Sequence, residues 1–203
     1  MSVHSRDDIV RFRHADVHIV GVAGAEGFAI LEYLLSLGFS RITGHNLAGE
    51  ESLERAFDIA HVSLDRTARR DALARLLHAP ITLRTGVQYL HGIENADMVF
   101  ATQNWFAHRA NAPLIALRSS GVPFCFITQL YLALSPAPVA AVTGTNGKTT
   151  VSTWLYHILT AAGRPCLMSG NDRYHPQVLN RLDTLPANGV LVLEISNRQL
   201  KEI

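Results

Sequence analysis

The sequence predicts an α/β protein built on parallel sheets. Short apolar runs alternate with segments of helical periodicity, and the stretches between successive runs are long enough to act as crossover connections. The 203-residue chain is 48% hydrophobic and 17% charged, as expected of a globular protein with a packed core. Its length allows one or two domains.

The first half of the chain predicts five strands joined by helices. Residues 17–22 form a buried strand, followed by a helix over 28–38 that stops at a glycine. A second strand is predicted at 40–46, and an amphipathic helical segment over 51–80 stops before Pro80. Three more strands are expected at 81–86, 96–103 and 123–129, with a helix or helical turn over 106–121 between the last two.

A proline-containing linker at 132–140 separates two predicted domains, residues 1–136 and residues 137–203. In the second domain we expect strands at 139–144, 165–170 and 189–196, with helices at 149–163 and 176–185. Because this is smaller than a usual independent nucleotide-binding domain, we interpret the second domain as partial.

Charge and composition argue against several other classes of protein. The formal net charge of +1 predicts no nucleic-acid partner. Residues 1–16 carry charges where a signal peptide is apolar, and no segment offers ~20 uninterrupted apolar residues, so we expect a cytoplasmic protein without a membrane partner. Cys125 and Cys166 are interpreted as reduced core thiols, and the ten histidines lack zinc-ligand spacing.

The strongest motif is a glycine-rich loop between the strand at 139–144 and the helix that follows it. Gly144 and Gly147 allow the backbone to turn tightly and direct its N–H groups inward, and the helix adds its positive end, which favours phosphate binding. Lys148 is placed to reach the outer phosphates of ATP, and the Thr149 hydroxyl to bind Mg²⁺. Thr150 supports the start of the helix. The general phosphate-loop pattern has a glycine where this chain has Val142, so the loop is a subtype.

The sequence TGTNGKTT, residues 143–150, resembles the nucleotide loop of the Mur ligase family. Two more segments carry the resemblance: the Gly-Asn pair at 170–171, and LEISNRQL at 193–200, which is similar to the family stretch Leu-Glu-x-Ser-Ser-aromatic-Gln-Leu. The resemblance implies ATP and Mg²⁺ as cofactors, Lys148 as a catalytic residue, and Thr149 and Glu194 on the metal. The residues that it implies for ATP binding are Gly144, Thr145, Asn146, Gly147, Lys148, Thr149, Thr150 and Asn171.

The first domain is similar to that of the D-glutamate-adding branch, in which a Rossmann-like domain holds the UDP of a nucleotide sugar. The residues implied for the substrate are Gly24, Ala25, Glu26, Gly27, His45, Asn46 and Ser196. Glu26 brings a negative charge close to the expected diphosphate. Gly44-His45-Asn46 stands where the branch has Asp-Thr-Arg, and Thr102-Gln103-Asn104 where it has Ser-Pro-Gly.

The activity implied by the resemblance is ATP-dependent amide formation in peptidoglycan precursor synthesis. ATP would phosphorylate the carboxylate of UDP-N-acetylmuramoyl-L-alanine, and the amine of D-glutamate would displace the phosphate. Since the family's later lysine, histidine and third domain are not found in these 203 residues, we expect a fragment that is inactive alone. Two alternatives stay open: a nucleotide-binding module without catalysis, and a Mur-type ligase for another acid, such as a folate or a polyamino acid.

Overall fold

The computed structural model describes residues 3–102, 104–105, 108–171 and 174–203. These residues form two separate parallel sheets, one of five strands and one of three. The predicted α/β class is therefore confirmed. The expected domain boundary at 136 and 137 falls between the last helix of the first sheet's layer and the first strand of the second sheet, and the division into two domains stays a prediction.

The first sheet has the strand order β3-β2-β1-β4-β5, and its neighbouring strands all run parallel. Its strands are β1 Val17–Val20, β2 Ile42–Asn46, β3 Thr82–Thr85, β4 Met98–Ala101 and β5 Phe124–Phe126. The central strand β1 and its neighbour β4 are buried along their whole length, as expected of strands covered on both faces. The strand order reverses between β1 and β4, which opens a crevice at their carboxyl ends.

The second sheet has the order β6-β8-β7, again with parallel neighbours. Its strands are β6 Val139–Val142, β7 Cys166–Gly170 and β8 Val190–Glu194. The central strand, β8, is fully buried, whereas β6 lies at an edge and is only partly covered.

Seven α-helices occur in the described residues: α1 Arg6–Val10, α2 Ala25–Ser36, α3 Glu50–Ala60, α4 Arg66–His78, α5 Ala112–Ser119, α6 Ile127–Leu134 and α7 Lys148–Ala161. Three expectations need correction. The helical segment over 51–80 is two helices, because Asp65 caps a new one, and the strand over 123–129 ends at Phe126, where α6 begins. The helix expected at 176–185 is a 3-10 helix, Leu179–Thr184. In the described part of the chain, no helix is both long and apolar enough to span a bilayer.

The two sheets share one hydrophobic core, which brings their carboxyl ends together. Helix α2 and the 3-10 helix Leu179–Thr184 pack against each other and against α6. Tyr131 of α6 is fully buried at this junction, where its hydroxyl accepts a hydrogen bond from the Val178 amide at 2.9 Å and lies 2.9 Å from Ser169 Oγ. This junction holds the two carboxyl ends in one region, where the candidate site lies.

Candidate functional site at the carboxyl ends of the two sheets

The glycine-rich loop connects β6 to α7 and is exposed from residue 143 to residue 147. Gly147 caps α7 with φ of 76°, a left-handed conformation that glycine adopts without strain. The Lys148 ammonium folds back over the loop and donates to the carbonyl oxygens of Gly144 at 2.9 Å and Thr145 at 3.5 Å. The first amides of α7 have no side-chain cap, so the loop and helix start present open donors to an anion.

Glu194 ends β8 beside this loop. In the sheet register it lies opposite Val142, the last residue of β6, on one side and Gly170 of β7 on the other. Its side chain is only 2% exposed, and Oε2 has no hydrogen-bond partner among the described residues. A buried carboxylate oxygen without a partner is unusual, and it suits a hard cation such as Mg²⁺, which takes oxygen ligands.

Protein ligands for a metal are few here. No three His, Cys, Asp or Glu side chains of the described residues converge on one point. Of the two residues predicted for Mg²⁺, Glu194 ends β8 and Thr149 lies in the first turn of α7, and their roles as ligands stay predictions. Beside nucleotides, Mg²⁺ usually takes one or two protein oxygens together with phosphate oxygens and water.

A cleft of about 420 Å³ opens beside the glycine turn of the first sheet. It reaches from the ends of β1, β2 and β4 to the end of β7 in the second sheet. Polar and turn residues that line it include Gly21, Gly24, Glu26, Asn46, Asn104 and Asn171. Leu47 and Ile59 supply part of an apolar wall. The cleft thus spans the carboxyl ends of both sheets.

The turn between β1 and α2 is tight. The Gly24 amide donates to the Gly21 carbonyl at 2.9 Å, and a Cβ atom on Gly27 would lie 2.2 Å from that same oxygen. Only glycine fits at position 27. Because Gly24 caps α2 without a side-chain hydrogen bond, the first amides of α2 are available to a ligand in the cleft.

Glu26, in the first turn of α2, is 9% exposed and lines the cleft. Its Oε1 accepts a hydrogen bond from Nε2 of Gln199 at 3.2 Å. Sequence reasoning noted the charge of Glu26 but missed its contact with Gln199. The only available signal was the Gln-Leu pair at the end of the motif at 193–200, which marks Gln199 without naming its partner.

His45 does not line the cleft. Its ring is fully buried, with Nε2 2.8 Å from Nδ1 of His18 and Nδ1 2.5 Å from the Tyr89 carbonyl. Burial lowers the pKa of His45 to about 4, so the ring is neutral at pH 7. The neighbouring Asn46 does line the cleft, where Nδ2 donates to the Ala48 carbonyl at 3.3 Å.

The residues predicted from the sequence therefore fall into two groups. Gly24, Ala25, Glu26 and Asn46 line the cleft, while residues 144–150 and Glu194 lie around the ends of β6 and β8. Asn171, predicted for ATP, lines the cleft and donates its amide to the Glu194 carbonyl at 3.0 Å, so it lies between the two groups.

Ser196 and the segment at 102–104 are the remaining positions singled out from the sequence. Ser196 donates its amide to Oε1 of Gln199 at 2.8 Å. Of the segment at 102–104, Thr102 and Asn104 line the cleft, and Gln103 lies outside the described residues.

Sequence reasoning missed a polar cluster in the cleft wall. Tyr89 donates its hydroxyl hydrogen to Oδ1 of Asn111, and Nδ2 of Asn111 donates to the Trp105 carbonyl. All three residues line the cleft. Trp105 and Asn111 both lie between β4 and α5, whereas Tyr89 lies between β3 and β4, so no local pattern could have grouped all three.

The fold is that of a parallel α/β protein whose second sheet carries a glycine-rich loop between a strand and a helix. Residues 142–202 match the model of the Mur ligase middle domain. Two similar curated proteins are UDP-N-acetylmuramoylalanine–D-glutamate ligases. That of Ruminiclostridium cellulolyticum is 29% identical over 92% of this chain and 36% of its own length. That of Symbiobacterium thermophilum is 30% identical over 90% of this chain and 35% of its own length. These matches confirm the predicted resemblance to the Mur ligase family.

The chain spans about a third of the length of the curated relatives that it matches. Among solved structures, it is similar to a UDP-N-acetylmuramate:L-alanyl-gamma-D-glutamyl-meso-diaminopimelate ligase from Neisseria meningitides, with 19% identity and a TM-score of 0.48 over 89% of this chain and 52% of that one.

Proposed function

We propose that this chain forms the substrate-binding part and the nucleotide loop of an ATP-dependent ligase that adds D-glutamate to UDP-N-acetylmuramoyl-L-alanine. Two relatives named for D-glutamate ligation match 90% or more of the chain. The observation that carries the proposal is the open loop at the start of α7, with the partnerless oxygen of Glu194 at the end of the adjacent strand. Together they offer donors for phosphate and a carboxylate for its counter-ion.

In the proposed reaction, a carboxylate oxygen of the substrate attacks the γ-phosphorus of ATP, ADP leaves, and an acyl phosphate forms. The D-glutamate amine then attacks the acyl carbon, phosphate leaves, and an amide results. The loop amides and the Lys148 ammonium would stabilise negative charge on the transferred group, once Lys148 exchanges its loop carbonyls for phosphate oxygens. Mg²⁺, when bound, would supply further neutralisation of that charge. The glycine turn at 21–27 would hold the diphosphate of the substrate through backbone amides.

The test is nucleotide binding by Lys148→Ala, measured by calorimetry with Mg²⁺ and a non-hydrolysable ATP analogue. We expect at least a tenfold loss of affinity, because the variant removes the only side-chain cation of the loop. Lys201→Ala is a matched control, since Lys148 and Lys201 are the two lysines of the chain and Lys201 is exposed outside the loop. Equal affinity in all three proteins would refute the assignment of the loop.

A second candidate keeps the ligase chemistry and changes the acid. It is favoured by the charge of the cleft: among its described lining residues Glu26 is acidic, and none is lysine or arginine. A diphosphate would have to bind through backbone amides and uncharged side chains, with the His108 imidazole as the one basic side chain among the described lining residues. Competition between UDP-N-acetylmuramoyl-L-alanine and a folate or polyglutamate acid for the purified chain distinguishes the two, and binding of the folate or polyglutamate alone would favour the second.

A further inference from the structure

We infer that Glu26 is a positioning residue that couples ligand binding in the cleft to nucleotide binding at the loop. The inference rests on the proposed function, because it requires that both sites be used. In this role, the buried Glu26 carboxylate acts by holding Gln199 and not by contacting the substrate.

The coupling path begins with one buried hydrogen bond. Oε1 of Glu26 accepts from Nε2 of Gln199 at 3.2 Å, and the two residues are 9% and 3% exposed. The other end of the same side-chain amide is also engaged, since Oε1 of Gln199 accepts from the Ser196 amide at 2.8 Å. The backbone amide of Gln199 donates to Ser196 Oγ at 3.3 Å. Gln199 therefore closes the turn at 196–199 and ties it to Glu26.

That turn directly follows the strand end that carries Glu194. The Ile195 amide donates to the carbonyl of Val142 at 2.9 Å, so the chain is still bonded to β6 one residue after Glu194. The glycine-rich loop begins immediately after Val142. A shift of the turn at 196–199 would thus move the candidate metal carboxylate and the base of the nucleotide loop.

At its other end the path is anchored rigidly. Glu26 lies between Gly24, which caps α2, and Gly27, whose position allows no Cβ atom against the Gly21 carbonyl. The backbone at Glu26 therefore has little freedom to follow Gln199. A ligand bound at the start of α2 would therefore act on the turn at 196–199 through the Glu26 side chain and its bond to Gln199.

A second hydrogen bond runs in parallel to the first. Nη1 of Arg198 donates to Oδ1 of Asn104 at 2.8 Å, and Asn104 follows β4 and lines the cleft. Two adjacent residues of one turn thus reach two separate parts of the cleft wall. Arg198 is exposed, so its contact is the weaker of the two and Glu26 carries the coupling.

The consequence is cooperative binding. Ligand in the cleft should tighten the binding of Mg²⁺ nucleotide at the loop, and the nucleotide should tighten the binding of the cleft ligand by the same factor. We expect a factor of about five or more, at the lower end of what coupled sites display.

Calorimetry on the full 203-residue chain measures this factor. The affinity for a non-hydrolysable ATP analogue with Mg²⁺ is determined with and without saturating UDP-N-acetylmuramoyl-L-alanine. Glu26→Ala and Gln199→Ala should each bring the factor close to one, and the double variant should lose nothing more, because both act through one bond. Glu26→Gln should restore coupling, since its amide oxygen can still accept from Gln199.

A matched control breaks another contact between the same two parts of the molecule. Arg6 of α1 binds Asp183 of the 3-10 helix at 2.8 Å on the surface, and neither residue lines the cleft or belongs to the loop. Asp183→Asn should keep the wild-type factor. Thermal unfolding of each variant, compared with wild type, separates lost coupling from lost structure.

The outcomes are distinct. Nucleotide binding with the wild-type coupling factor in folded Glu26→Ala would overturn the inference alone, as would a wild-type factor of one. A wild-type chain that binds no nucleotide would overturn the proposed function, and the inference with it.

Discussion

At the scale of single residues, the buried imidazole pair of His18 and His45 makes stability depend on pH. One hydrogen bond joins the two rings at 2.8 Å, and burial lowers the pKa of both, that of His45 to about 4. Between pH 6.5 and about 4 the unfolded chain binds a proton that folded His45 does not, so stability is full above pH 6.5 and falls with pH below it. The loss should reach about 3 kcal/mol, since one pKa unit is worth about 1.4 kcal/mol.

Chemical denaturation of the wild-type chain at several pH values between neutral pH and pH 4 measures this loss. In His45→Gln the slope of stability against pH should be reduced, although the variant is less stable throughout because the amide fits the site less well. His157→Gln is the control, since His157 is exposed on α7. The His157 variant should keep the wild-type slope, and the explanation fails if the His45 variant keeps it too.

Local sequence patterns predicted some residues of the candidate site but not the contacts between distant segments. The loop at 143–147 and Glu194 were predicted because their whole signal is local: two glycines, a lysine and a strand-end carboxylate within recognisable segments. The bond between Glu26 and Gln199 joins residues 173 positions apart, so its existence depends on how the two sheets pack. The burial of His45 likewise follows from Tyr89, which approaches from a loop 44 positions away.

At the scale of elements, the division between α3 and α4 has a cause that the sequence pattern concealed. Apolar residues continue at helical spacing through 51–80, which predicted one helical segment. The break comes from the packing of His61: its ring stacks on Phe57 with centroids 3.8 Å apart, and Nε2 lies 3.2 Å from the Ala23 carbonyl. A new helix, α4, then begins after Asp65, whose Oδ1 accepts a hydrogen bond from the Ala68 amide at 2.9 Å. The alternation of strands and helices, in contrast, was predicted correctly, because strands such as β4, β5 and β6 are short, continuous apolar runs.

The cap at Asp65 gives a prediction for α4. Asp65→Ala should lower the free energy of unfolding by about 1 kcal/mol, because it leaves an amide at the start of the helix without a partner. Urea denaturation measures the change. Asp71→Ala removes an exposed carboxylate from the interior of the same helix, so it should change stability by less than about 0.5 kcal/mol. Equal losses in the two variants would mean that charge, and not the cap, is responsible.

At the scale of the whole molecule, the second sheet is covered unevenly. Of the 14 residues of α7, Ser152 is the one classed as buried, and β6 lies at the edge of its sheet with Ala141 exposed. Leu155, Tyr156 and Leu159 pack α7 onto the sheet. A second apolar stripe, formed by residues at helical spacing, faces away from it: Val151, Trp154 and Ile158, which are 55%, 66% and 64% exposed.

An apolar stripe of this size beside an edge strand predicts that the purified 203-residue chain self-associates. Sedimentation velocity over a range of concentrations should show a rising average mass, and Trp154→Gln with Ile158→Gln should shift that rise to higher concentration. Ile115→Gln is the control, because Ile115 is 57% exposed on α5, outside the stripe. If the chain stays monomeric at all concentrations, exposure of the stripe has no consequence for assembly. If the Ile115 variant has the same effect as the double variant, the loss of association is not specific to the stripe on α7, and the stripe is not the surface through which the chain associates.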